Sequence, residues 1–250
     1  MRPSNRMMAI EPSASIKMAE TAASLRNEGK TVLNLSIGEP NFAPADHICK
    51  AAKDSMDRGE TGYASSQGIP ALREAVAERI WLDCQVRYDP SEEIILTPGV
   101  KQGLWYVFTA LLNEGEEVLA PEPSWVSYSA AVSLAGGKLI QIPTIAGDNY
   151  FPPKEQWEKH ITTKTRLILL NTPCNPTGRV YTKEELTIVA ELAKEHDLIV
   201  VSDEVYARII FDSNVFISIA AIDCKFRSIA TTISLHCDHP VGVNRPPVLI

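Results

Sequence analysis

Four short polar stretches interrupt apolar runs in this 250-residue chain, and each holds groups suited to gripping a charged ligand. In TPGVKQG (97–103) a glycine leads directly into a helical pattern. That helix start would offer backbone N–H groups and the positive end of a helix dipole to an anion such as phosphate. PEPSWVSY (121–128) sets Trp125 just past another apolar run, where its ring is either a ligand platform or a core residue. NTPCNPTG (171–178) holds Asn175 in a turn stiffened by Pro173 and Pro176, which restrict both their own and the preceding backbone. SDEVY (202–206) ends a further apolar run with Asp203 and Tyr206; an acid in that place serves either a ligand or a helix cap.

The elements that must position these groups follow from periodicity. EEIILT (92–97), EEVLAP (116–121), KLIQIP (138–143), RLILLN (166–171) and DLIVVS (197–202) are apolar runs of strand length. Between them, KQGLWYVFTALLN, SWVSYSAAVSLAG and KEELTIVAELAKEH have helical spacing, the last opened by Thr182 as N-cap with Glu185 completing a capping box. Upstream, ALREAVAERIW (71–81) reads as an amphipathic helix entered from Gly68 and Pro70, and 13–30 as a helix ending at Gly29. Such alternation predicts an α/β fold, a mainly parallel sheet flanked by helices. In open sheets of that kind ligands bind beyond the carboxyl ends of the strands, where all four polar stretches fall.

Composition narrows the function classes. With 45% hydrophobic and 22% charged residues the chain is of ordinary globular make-up. A net charge of −7 and a pI near 5.3 disfavour nucleic acid and anionic membrane as partners, since both require a basic face. The N-terminal MRPSNRMMAI lacks a signal-peptide core and no apolar run approaches a membrane span, so a cytoplasmic location is expected. Five scattered cysteines suit reduced thiols better than a disulfide framework.

Taken together, GEPNF (38–42), Tyr63 within TGYASSQGIPALR, PGVKQ, PSWVSY, NTPCNPTG and SDEVY occur in the order and approximate spacing of fold-type I pyridoxal-phosphate aminotransferases. The chain resembles in particular their aspartate and prephenate branch, over residues 10–223. The resemblance implies transfer of an amino group between an amino acid and a 2-oxo acid, a homodimer, and a place in amino-acid metabolism. It divides the chain into an N-terminal arm and small-domain segment (1–45), a partial cofactor-binding large domain (46–223) and a divergent tail (224–250).

The resemblance also assigns roles. Pyridoxal phosphate, when bound, supplies an electron sink through its protonated ring nitrogen. Asp203 would keep that nitrogen protonated, since an opposite charge favours the cationic form, while Asn175 and Tyr206 would donate to the ring's phenolic oxygen. Trp125 would stack on the ring. Gly99, Val100 and Lys101 would cradle the phosphate, joined by Tyr63 from a neighbouring subunit. Substrate contacts would come from Gly38, Asn175 and Trp125, with Lys101, Ser13 and Ser15 meeting a distal carboxylate, which favours dicarboxylic substrates. Family members often have a cis peptide in these turns, making Asn175–Pro176 and Glu122–Pro123 candidates.

The chain departs from the family after Asp203. The lysine that anchors the cofactor covalently, in a Ser-x-Ser-Lys type segment, has no counterpart in SIATTISLHCDHPVGVNRPPVLI, and Lys225 is out of register. No catalytic residue is therefore assigned. Arg245 is at best an echo of the family's phosphate-binding arginine, and the adjacent His236, Cys237, Asp238 and His239 are poorly spaced for a tetrahedral metal, so no metal is expected. The composition shift suggests a chain truncated or frame-interrupted after about Asp223. Two alternatives to an active aminotransferase follow: an inactive fragment, or a pseudoenzyme that holds the cofactor without a covalent bond.

Overall fold

The computed structural model describes residues 2–8, 10, 14–35, 38, 43–222 and 229–232. Helices α1 (Asn5–Met8), α2 (Ala14–Asn27), α3 (Asp46–Asp57) and α4 (Pro70–Cys84) precede an alternating region. That region runs α5 (Val100–Leu111), β1 (Glu117–Glu122), α6 (Ser127–Leu134), β2 (Lys138–Pro143), α7 (Lys154–His160), β3 (Thr165–Asn171), α8 (Lys183–Glu195), β4 (Ile199–Asp203) and β5 (Ile229–Thr232). The strands form one parallel sheet in the order β2-β1-β3-β4-β5. The order reverses at β1, which has β2 on one side and β3 on the other, and the carboxyl ends there define a topological switch point.

Period-two alternation fills both faces of the sheet. Leu119, Ile168, Leu170 and Val200 turn one way, onto Trp157 of α7 and Leu186, Val189 and Leu192 of α8. Their neighbours Val118, Ala120, Leu167, Leu169 and Val201 turn the other way, onto Leu104 and Phe108 of α5 and Tyr128 and Val132 of α6. A sheet buried on both sides needs near-continuous apolar strands, as RLILL shows. The capping box at α8 is formed as the sequence predicts: Glu185 N–H donates to Thr182 Oγ1 at 3.2 Å and Thr182 N–H to Glu185 Oε2 at 2.7 Å.

One predicted strand is not formed. Residues 94–97 lie outside the sheet, with Leu96 N–H donating to Gln67 O at 3.0 Å. Strand identity requires a neighbouring ladder, and this run spends its apolar side chains elsewhere. Ile94 packs with Val76 of α4, joined by Ile80, Tyr88 and Leu96. Gly68 makes the close approach possible, because a Cβ there would lie 2.5 Å from Leu96 Cδ1 and its φ of +97° suits glycine.

Candidate functional site

The last rung of the β3–β4 ladder pairs Asn171 with Asp203, and the site grows from it. Asn171 Nδ2 donates to Asp203 O at 3.0 Å and Thr172 N–H reaches the same carbonyl at 3.1 Å, so the two strand ends stay clamped after the ladder stops. Asn171 Oδ1 in turn accepts from Asn175 N–H at 2.7 Å. The turn between closes on itself: Gly178 N–H donates to Cys174 O at 2.7 Å and Cys174 N–H to Arg179 O at 2.8 Å. A stiff polar turn ends this strand because it must carry Asn175 back over the sheet edge. There Asn175 Nδ2 lies 3.4 Å from Tyr206 Oη, a long hydrogen bond between the two residues expected to share one ligand oxygen. Glu122–Pro123 and Asn175–Pro176 are cis, as is Thr172–Pro173.

Asp203 is almost fully buried, and both of its carboxylate oxygens have donors. Tyr128 Oη donates to Oδ2 at 2.7 Å, and Val205 N–H to Oδ1 at 3.2 Å. Burial first, then the charge of Asp203, push the Tyr128 phenol above its ordinary value, so it remains a protonated donor. Tyr128 also meets Trp125 edge-on, with ring centroids 5.4 Å apart. Lys101 Nζ lies 5.1 Å from the Trp125 ring centroid, within cation–π range. Gly99, at φ +88°, is the N-cap of α5; no side chain caps that helix, and a Cβ on Gly99 would meet nothing within 4 Å.

Asp203, Asn175, Tyr206, Trp125 and Lys101, with Gly99 and Val100 at the start of α5, are thus linked, Asp203 to Asn175 through Asn171 and Asp203 to Trp125 through Tyr128. Tyr63 is fully exposed, and among the described residues no hydrogen bond or ring contact ties it to the cluster. Gly38 is exposed with open space around it. Ser13 lies outside the described residues, as do the Ser15 side chain, Lys225, Arg245 and the tail residues 236–239.

Sequence reasoning passed over three residues. Asn171 had only its place at the end of RLILL to mark it, and Tyr128 only its position three residues, nearly one helical turn, after Trp125. Glu204 sits beside Asp203 but points elsewhere: it is fully buried and its Oε1 accepts from Ser202 Oγ at 2.8 Å and Ser218 Oγ at 2.9 Å. It borders a cavity of about 310 Å³ shared with Cys84, Asp83, Arg79 and Arg208.

A parallel sheet covered on both faces, with an acid, an amide, a phenol and an uncapped helix start beyond its carboxyl edge, defines an α/β protein with a candidate ligand site. The chain belongs to the family Aminotransferase class I and II, whose profile matches residues 30–235. It is 41% identical to an aspartate aminotransferase of Pyrococcus abyssi over 92% of this chain and 58% of that one. It is 40% identical to aromatic-amino-acid aminotransferase 2 of Thermococcus litoralis, with the same coverage, 92% and 58%. Among solved structures, aspartate aminotransferase from Thermus thermophilus with maleate superposes with a TM-score of 0.88 at 37% identity, covering 94% of this chain and 60% of the other. The chain therefore spans about 58% of the length of the curated relatives it matches.

Proposed function

We propose that this chain carries the pyridoxal-phosphate site of an aminotransferase acting on an amino acid and a 2-oxo acid, with dicarboxylic substrates preferred. The observation that carries the reading is Asp203: a buried acid with a donor on each oxygen, at the carboxyl end of a central strand. The residues present fit the group. Asp203 would pair with the ring nitrogen, Asn175 and Tyr206 would hold the phenolic oxygen, and Trp125 would cover the ring. The start of α5 at Gly99, Val100 and Lys101 has the open space and the N–H groups a phosphate requires.

Lys101 supplies the cation for a distal carboxylate, and the Thermus relative crystallised with the dicarboxylate maleate supports that preference. Gly38, Ser13 and Ser15 complete the substrate side in this reading. Tyr63, exposed and with no hydrogen bond or ring contact among the described residues, is the residue offered to a second subunit of a homodimer. The domain division at 45 and 223 and a cytoplasmic location go with the same reading. Among the described residues no helix is long and apolar enough to cross a membrane.

Titration of the full chain with pyridoxal phosphate, followed by absorbance, tests the site. Saturable binding is expected, weakened roughly 10- to 100-fold in Asp203→Asn, the loss of one charge-assisted interaction. Affinity unchanged by that substitution would remove the site as drawn. Borohydride reduction and peptide mapping then address catalysis: one modified lysine, at Lys225 or Lys101, would identify a surrogate anchor and justify a transamination assay. Absence of a specific adduct would leave non-covalent binding as the chain's own activity.

A further inference from the structure

Tyr128 has no part in the roles above, yet it touches two of the residues that do. Its hydroxyl donates to Asp203 Oδ2 at 2.7 Å, and its ring stands edge-on to Trp125 at 5.4 Å. Tyr128 and Asp203 are only 1% and 2% exposed. A carboxylate so placed loses its hydration, and burial by itself favours the protonated form. A neutral acid could not hold a cationic ring nitrogen in place. Donors on both oxygens reverse that tendency, and of the two the hydroxyl at 2.7 Å is shorter than the Val205 N–H at 3.2 Å.

We propose that Tyr128 is a positioning residue for Asp203: its hydroxyl keeps the buried carboxylate ionised and fixes the orientation in which it meets the cofactor's ring nitrogen. The inference rests on the cofactor reading above. Tyr128 is well suited to the task because α6 and the edge contact with Trp125 hold its ring, and Val132 and Phe108 belong to the same packed cluster. The hydroxyl does not become an acceptor near neutrality, since burial and the charge of Asp203 hold the phenol well above its usual range. Cys174 and Tyr206 are the other titratable groups whose charge bears on it, and both act in the same direction.

The test compares pyridoxal phosphate with an analogue that has carbon in place of the ring nitrogen, using the full chain and Tyr128→Phe. Wild type is expected to prefer pyridoxal phosphate. The variant should lose roughly 10-fold or more of that preference, the scale of a hydrogen bond to a charged group, while its affinity for the analogue barely moves. Equal weakening toward both compounds would reveal a merely structural tyrosine and overturn the proposal, as would a preference left intact. Wild type that binds neither compound would remove the cofactor reading and the proposal with it. Should Tyr128→Phe fail to fold, Tyr128→His, which keeps an aromatic ring and a donor, takes its place: a preference retained there supports the donor role, and a preference lost with unchanged affinity for the analogue would overturn it.

Discussion

Burial lifts the Glu204 carboxyl from its usual range to about 7, against the opposing hydrogen bonds from Ser202 and Ser218. Because the folded state holds this proton more tightly than the unfolded chain, stability falls as pH rises between about 4.5 and about 7. The penalty reaches the order of 3 kcal/mol once both states are ionised. Asp203, Asp83, Arg79 and Arg208 are the charged groups around it. Glu204→Gln keeps the shape and removes the charge, so its stability relative to wild type should improve between pH 5 and pH 8 by an amount of that order. Urea unfolding at the two values measures this; parallel pH dependence in the two proteins would show that Glu204 does not titrate in this window. At the same scale, Cys84 is pushed up to about 12, chiefly by burial, whereas Cys49 is exposed. Alkylation of the native chain at pH 8 should therefore modify Cys49 and spare Cys84, and peptide mapping that finds both modified would contradict the burial described here. The sequence displayed Asp203, Asn175 and Tyr206 because each interrupts an apolar run. Tyr128 and Glu204 sit inside such runs, and what they do depends on contacts across the chain, such as Tyr128 to Asp203, that no local pattern encodes.

Elements were legible where one physical signal sufficed. The strands β1 to β4 needed only apolar length, and α8 announced itself by its capping box. EEIILT had the same apolar length and formed no ladder, because pairing depends on a neighbour that the local sequence does not contain. Helices α1, α3 and α7 and the strand β5 lay outside the sequence reading: α1 and α7 are too brief for periodicity, α3 has no side-chain cap and buries no residue, and β5 falls within the divergent tail. The α8 cap also fastens the site. Arg179, which follows the Asn175 turn, grips both oxygens of Glu185 at 2.7 and 2.8 Å and donates to Asn149 O at 2.9 Å. The pair is largely enclosed, with side-chain exposures of 12% and 17%. Thr182→Ala is expected to cost about 1 kcal/mol through loss of the cap. Glu185→Ala, which also strips Arg179 of its partner, should cost about 2–3 kcal/mol. Equal losses in denaturant unfolding would mean that the pair adds nothing and that the turn is held by its own backbone bonds.

At the scale of the molecule, large apolar side chains that the fold leaves in solvent gather early in the chain. Met7, Met8, Ile16, Met18, Leu33, Leu35, Met56 and Tyr63 are all more than half exposed, with Leu35 at 96% and Tyr63 at 110%. Trp105 and Tyr106 of α5 add two more, at 43% and 44%. Single exposed apolar residues are ordinary, but this concentration within residues 7–63 and on the helix whose start is proposed to hold phosphate suits a surface that another chain covers. The sequence showed these residues without showing what they face, since covering surfaces belong to an assembly and not to a local pattern. If the partner is a second copy placing Tyr63 at the phosphate, the two properties are linked. Sedimentation at micromolar concentrations should give a dimer, and pyridoxal phosphate should stabilise it because the ligand would touch both chains. Tyr63→Ala should then weaken pyridoxal-phosphate binding without changing thermal stability in its absence, since a fully exposed side chain contributes little to the fold of one chain. A strictly monomeric chain that binds the cofactor equally well with and without Tyr63 would break that link, leaving the N-terminal arm to cover some other surface.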